Sequence, residues 1–172
     1  MTNLDALAQL VAYPDEHTRD VARATLQALD VSAPGAATSM CDFLDATAEL
    51  TLPELQEHYT AAFDFDPACV LDVGWHLFGE SPDRGAFLAA LRGDLRDAGI
   101  AESPELPDHL THVLALISRH DPGRAESLAA LVMPALTGIE QALTARRSPY
   151  AHVLAAVHVS LAAPAEGTIA LR

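Results

Sequence analysis

Apolar residues return at helical spacing in one segment after another of this chain, and nowhere do they alternate as a half-buried strand requires. Leu4, Leu7, Ala8 and Val11 form a first short stripe that Tyr13-Pro14 halts. A second helix is expected over about Asp15 to Leu29, facing inward through Val21, Ala22, Leu26 and Leu29, with Ala33-Pro34-Gly35 breaking it. A third, roughly 38–50, uses Met40, Phe43, Leu44 and Thr47. Thr51-Leu52-Pro53-Glu54 has the pattern of a capping box, in which the threonine and the acid three residues on satisfy each other's free N–H groups. It opens a helix through Leu55, Tyr59 and Ala62.

Phe63 to Glu80 is the least regular stretch, loop-like around Asp64, Asp66 and Pro67, then apolar from Val70 to Phe78, a run that fits helix or strand and is read as helix because its neighbours are helical. Ser81-Pro82-Asp83 is an N-cap with proline in the first turn, where its missing N–H has no helical partner to lose. The helix it opens carries Phe87, Leu88, Leu91 and Leu95 and stops at Gly99. Pro107 opens another, with Leu110, Val113, Leu114 and Ile117 on one face. Asp121-Pro122 caps a helix reaching about Ala145, with a kink expected at Pro134. Ser148-Pro149 starts the last, marked by Tyr150, Val153, Leu154, Val157 and Leu161, and a frayed tail is expected over 163–172. The expected fold is therefore all-α, a single domain over 1–172 built as a bundle of eight or nine helices. Leu26, Leu44, Leu55, Leu91, Leu114 and Leu154, each on the stripe of its helix, are expected in the core.

Half the residues are hydrophobic but only nine are aromatic, which suits helices rich in Ala and Leu. No continuous apolar run reaches the ~18–20 residues of a membrane span. The first residues lack the basic flank of a signal peptide, so a cytoplasmic location is expected. A net charge of -14 argues against unaided binding to nucleic acid or anionic lipid, and would suit a basic peptide. All ten basic residues are arginine. With no lysine there is neither a Schiff-base amine nor a P-loop. Cys41 and Cys69 are in no metal or redox spacing and read as structural thiols.

The segment Glu105-Leu106-Pro107-Asp108-His109-Leu110 is the chemical focus: a helix start that sets an acid and an imidazole side by side, expected at the mouth of the fold. His109 and His112 share a helical face, as two metal ligands would, yet a catalytic zinc site usually takes three and no HExxH pattern is present. His76, within Gly74-Trp75-His76-Leu77-Phe78-Gly79, is either a satisfied core histidine or part of a groove in which the only Trp anchors an apolar side chain. Arg84 places a cation in a helix's first turn, against the dipole, which implies a specific acceptor. There is no nucleophile motif and no glycine-rich phosphate loop. A small metal- or ligand-binding enzyme using the His109/His112 region stays open beside a binding module.

Five pieces in order carry a resemblance: Leu-x-x-Tyr-Pro-Asp at 10–15, Leu55-Gln56-Glu57-His58-Tyr59-x-x-x-Phe63-Asp64, His76-Leu77-Phe78-x-x-x-x-Asp83-Arg84-Gly85, Glu105 to Leu110, and Ser148-Pro149-Tyr150. Over roughly residues 7 to 155 the chain resembles the nitrate reductase delta-subunit chaperones, within the wider TorD- and DmsD-type maturation family. The resemblance implies an all-helical, cofactor-free chaperone with no catalytic residues and no metal. Its partner would be the N-terminal segment of the apo catalytic subunit of a molybdopterin-dependent oxidoreductase, held until the molybdenum cofactor is inserted. It also implies peptide binding by Asp108 and His109, with Trp75 and Phe78 on the apolar side and Tyr59, His76 and Arg84 beside them. Phe65-Asp66-Pro67-Ala68-Cys69 departs from the nitrate reductase pattern and points to a sibling group serving another molybdoenzyme, such as a selenate, chlorate, dimethylsulfide or hydrocarbon-oxidising enzyme.

Overall fold

In the computed structural model, which describes residues 2–101 and 103–162, several helix starts have a side chain that satisfies a free N–H group of the first turn, while others, the one after Ser81 among them, have no side-chain cap. Thr2 and Asp5 form a capping box on α1 (Asn3–Leu10). Thr51 and Glu54 form the expected one on α4 (Leu52–Phe63). Asp121 accepts from the Arg124 N–H at the head of α8 (Pro122–Ala145). The other helices are α2 (Thr18–Ser32), α3 (Pro34–Ala46), α5 (Val73–Phe78), α6 (Pro82–Asp97), α7 (Leu110–Arg119) and α9 (Tyr150–Ala162). Among the described residues there are nine α-helices and no strand, so the all-α bundle expected from periodicity is the observed fold.

α9 buries residues on nearly every side, Tyr150, Val153, Leu154 and Val157 among them, and accordingly runs through the middle of the bundle. It packs against α1, α3 and α8, while α1 also meets α2 and α7, and α5 lies between α6 and α8. The expected tail over 163–172 lies outside the described residues.

Several boundaries move for reasons that are not local to the helix. Asp15 accepts from the His17 N–H and receives the Thr18 hydroxyl, so the chain turns there and α2 begins three residues later than expected. Pro34 does not merely end α2. It is the first residue of α3, which therefore spans 34–46 rather than 38–50. Residues 47–50 instead form a turn held by Arg19, whose guanidinium donates to the carbonyls of Thr47 and Leu50. Of the expected core leucines, Leu55, Leu91, Leu114 and Leu154 are buried, whereas Leu26 and Leu44 are only half-buried at the edges of their stripes.

α8 corrects another expectation. By length and composition it is apolar enough to cross a membrane, because Ala, Gly, Thr and Pro fill most places between its larger apolar residues and Arg124, Glu126 and Glu140 are its only charges. In the bundle it buries Val132, Leu136, Ile139 and Leu143 on one face. Pro134 lies on its exposed side, beside exposed Ala130, so the carbonyl that loses its helical partner there can be solvated.

Candidate functional site

Two helix starts are stapled together by a single antiparallel bridge between Asp72 and His109. The Leu110 N–H donates to the Leu71 carbonyl at 2.9 Å and the Val73 N–H to the Asp108 carbonyl at 3.0 Å. α7 thus begins at Leu110, and Pro107-Asp108 form the turn before it rather than its first residues. His109 is its N-cap: the ring Nδ1 accepts the Thr111 N–H at 3.3 Å and the Thr111 hydroxyl at 2.9 Å. An Nδ1 that accepts carries no proton in the neutral ring, so the proton sits on Nε2.

The bridge turns Asp108 inward. Its side chain is fully buried, not at the mouth of the fold as the sequence suggested. Arg84 reaches it from α6, with Nε and Nη2 at 3.2 and 3.1 Å from Oδ2, and Nη2 is also 3.5 Å from Asp72 Oδ2. This is the acceptor that a cation in a first turn called for. The guanidinium stands 5.8 Å from the centre of the Trp75 ring, in cation–π range. Gly74 makes the approach possible, since a Cβ there would fall 2.5 Å from Asp108 Oδ2 and 3.0 Å from Phe87 Cδ1. One guanidinium serves two carboxylates, and Asp108 Oδ1 is buried without a hydrogen-bond partner among the described residues. Burial, and then the Asp72 charge, push the Asp108 carboxyl up despite Arg84; burial likewise raises Asp72.

The other singled-out residues divide. Tyr59 is buried and donates its hydroxyl to the Val11 carbonyl at 3.1 Å. His76 Nε2 lies 2.8 Å from the Val70 carbonyl and Phe78 packs on Phe87 at 5.3 Å, so both brace α5 while staying half-buried. His112 has Nδ1 2.9 Å from the Leu106 carbonyl and Nε2 3.0 Å from the Ser103 hydroxyl, so neither nitrogen is left for a metal. Among the described residues no three His, Cys, Asp or Glu side chains gather as metal ligands.

What the arrangement does form is a groove in three linked stretches. The first, about 790 Å³, runs between α1 and α7 past Ala8, Ala12, Tyr13, Thr111 and Ala115. The second, about 480 Å³, shares Tyr13, Glu105 and His109 with it and adds Tyr59, Phe63, Asp64 and Asp72. The third, about 380 Å³, continues over Asp64 and Asp72 to Phe65, Pro67, Trp75 and Arg84. Two of the five large hydrophobic residues exposed among the described residues line it: Tyr13 at 57 % and Phe65 at 78 %. An apolar trough edged by carboxylates suits recognition of an apolar, basic chain. The sequence reading missed Tyr13, Phe65, Asp64, Asp72 and Glu105 as groove residues. The signal available was an aromatic set in each of two proline-containing polar turns, Tyr13-Pro14-Asp15 and Asp64-Phe65-Asp66-Pro67.

A pH dependence follows from His109. Burial holds its pKa below the ordinary 6.5. As pH falls through 6.5 the unfolded chain takes up a proton that folded His109 refuses. The stability it contributes is therefore complete above 6.5 and is lost from there down to the lower folded value, at up to about 1.4 kcal/mol per pH unit for one proton. Urea titrations at pH 7.5 and 5.5 should show that loss, and His109→Asn, which keeps a capping oxygen, should reduce it. Equal losses in both proteins would assign the effect elsewhere.

Residues 26–156 match the sequence model of the nitrate reductase delta subunit family, a span that holds the groove except for its α1 and Tyr13 side. The nitrate reductase molybdenum cofactor assembly chaperone NarJ of Escherichia coli (strain K12) is 28% identical over 156 residues, covering 88% of this chain and 66% of the relative. The same protein of Escherichia coli O157:H7 matches with the same identity and coverage. The chain thus spans 66%, just under two thirds, of the length of these curated relatives.

Proposed function

We propose, from the premise that the chain belongs to the nitrate reductase delta subunit family, that it is an assembly chaperone for a molybdopterin-dependent oxidoreductase and has no catalytic activity of its own. Its groove takes the N-terminal segment of the apo catalytic subunit and keeps that segment from premature association while the molybdenum cofactor enters. The observation that carries this reading is the groove itself: exposed Tyr13 where its first two stretches meet and exposed Phe65 in its third, with Asp64, Asp72 and Glu105 along it. Aromatic surface left open to water in this way lowers its free energy by covering, and a helical segment with one apolar face is the economical cover. The carboxylates select against acidic segments and speed encounter with basic ones. The chain's own part in the process is to bind, orient and shield. The cofactor is the client's cargo.

Co-expression with the catalytic subunit of a molybdopterin oxidoreductase from the same organism tests this. The apo subunit should co-purify with the chain and the cofactor-loaded subunit should not. In calorimetry the subunit's N-terminal peptide should bind, and more weakly as salt rises, because exposed charges are screened within ~8–10 Å at physiological ionic strength. Absence of binding by both peptide and apo subunit, at low and at physiological salt, overturns the proposal.

A further inference from the structure

We infer that the middle stretch of the groove is a subsite for one arginine residue of a bound peptide, with its guanidinium among Asp64, Asp72 and Glu105 and its main-chain carbonyl on the Nε2–H of His109. The inference rests on reading the groove as a peptide site and names the side chain it selects.

Charge is the first observation. Asp64, Asp72 and Glu105 all line this stretch. Neither Asp64 nor Glu105 has an ion pair among the described residues, and Asp72 has only the longer share of a guanidinium that Asp108 already holds with two hydrogen bonds. Arg84 and the two aspartates it serves leave one negative charge uncompensated, before Asp64 and Glu105 are counted. Their fields reach the stretch, since both push the Tyr59 phenol further up after burial has raised it.

The walls are the second. Tyr13, Tyr59 and Phe63 line the same stretch as the carboxylates, with Tyr13 edge-on to Tyr59 at 5.4 Å and Tyr59 to Phe63 at 4.8 Å. Carboxylates alone would suit any cation. Carboxylates beside ring faces suit a planar guanidinium on an apolar stem, which can stack and form paired hydrogen bonds at once.

The third is His109. Its side chain lines the stretch, yet the residue is only 7 % exposed. Capping α7 consumes Nδ1, and the Nε2–H has no acceptor among the described residues. A donor at the edge of an acidic pocket disfavours a bare metal ion and calls for a ligand that carries an acceptor beside its cation. A basic residue within a peptide has that pair of groups.

Three small probes titrated into the full chain, with NMR of the Tyr and His ring protons, decide the matter: Nα-acetyl-arginine N-methylamide, its citrulline counterpart, and n-butylguanidine, which has the same single charge on an apolar stem without a carbonyl. The arginine probe should shift the Tyr13, Tyr59 and His109 signals saturably and bind at least tenfold more tightly than either of the others. Asp64→Asn with Glu105→Gln, both at exposed positions and checked for an unchanged melting temperature, should remove most of that advantage. Equal binding of arginine and citrulline overturns the carboxylate half, and equal binding of arginine and butylguanidine overturns the His109 half. No shift with any probe at millimolar concentration overturns both. Should the apo subunit bind while the probes fail to discriminate, the chaperone reading stands and the subsite falls. Discrimination among the probes without capture of the apo subunit upholds the subsite and sinks the proposed client.

Discussion

Replacing Arg84 by alanine should cost the fold about 3–5 kcal/mol, the range for stripping one partner from a buried ion pair. Arg84 is 20% exposed at its side chain and Asp108 is 0% exposed, so its removal leaves a carboxylate in the interior with no cation. Asp108 Oδ1 already has no partner and Oδ2 would lose both of its guanidinium hydrogen bonds. The charged form of Asp108 would then be disfavoured further above the ordinary 3.8. A carboxyl whose folded pKa is raised favours the folded state as pH falls through that value, so the defect should shrink in mild acid. Adding Asp108→Asn should recover much of the loss, because a neutral amide needs no counter-charge, and the double-mutant cycle isolates the pair. A single-variant loss under ~1 kcal/mol by urea denaturation would mean that the pair is solvated.

This cluster also explains how Asp108 and His109, adjacent in sequence, divide the work. The backbone bridge to Leu71 and Val73 sends one side chain inward and the other to the groove. Asp108 fixes Arg84 over Trp75 and the Asp72–His109 staple, so its effect on any bound peptide passes through the shape and charge of the groove wall. His109 borders the open space itself.

The features that were legible beforehand rest on short sequence separations. Thr51 with Glu54, Pro82 after Ser81, Asp121 before Pro122 and the stripes of Leu91, Leu114 and Leu154 are consequences of helical geometry over three or four residues. That Arg84 needed an acceptor was readable from its place against a helix dipole. Which acid supplied it was not, because Asp108 lies 24 residues away and only the bridge brings it there. Pro107 was misplaced for the same reason: its local signal is that of a helix start, and a hydrogen bond to Leu71 overrides it. Leu26 and Leu44 lie on genuine stripes but at their margins, and periodicity does not say where a neighbouring helix ends. The groove was the least legible part, since two of the aromatics that mark it, Tyr13 and Phe65, ought to be buried and are not.

Tyr150 gives the sharpest test of that packing, because two substitutions there should act in opposite directions. The ring is fully buried and meets Tyr59, Phe63 and Phe43 at centroid distances of 5.5, 5.3 and 5.6 Å. Tyr150→Ala removes a large aromatic from a site walled by several helices and should cost about 3–5 kcal/mol. Part of that comes from edge-to-face pairs worth about 0.5–1.5 kcal/mol each beyond burial. It should also loosen Tyr59, which stands between Tyr150 and the exposed Tyr13, so any bound peptide should be held less well. The hydroxyl is a different matter. It is buried with no hydrogen-bond partner among the described residues, and burial drives the phenol's pKa far up. An unpaired buried polar group costs about 1–3 kcal/mol, so Tyr150→Phe should leave stability unchanged or raise it by about 1 kcal/mol. Thermal and urea melts of the two variants side by side decide it. If Tyr150→Phe loses more than ~1 kcal/mol, the hydroxyl has a partner, and the aromatic floor beneath the groove is polar where this packing makes it dry.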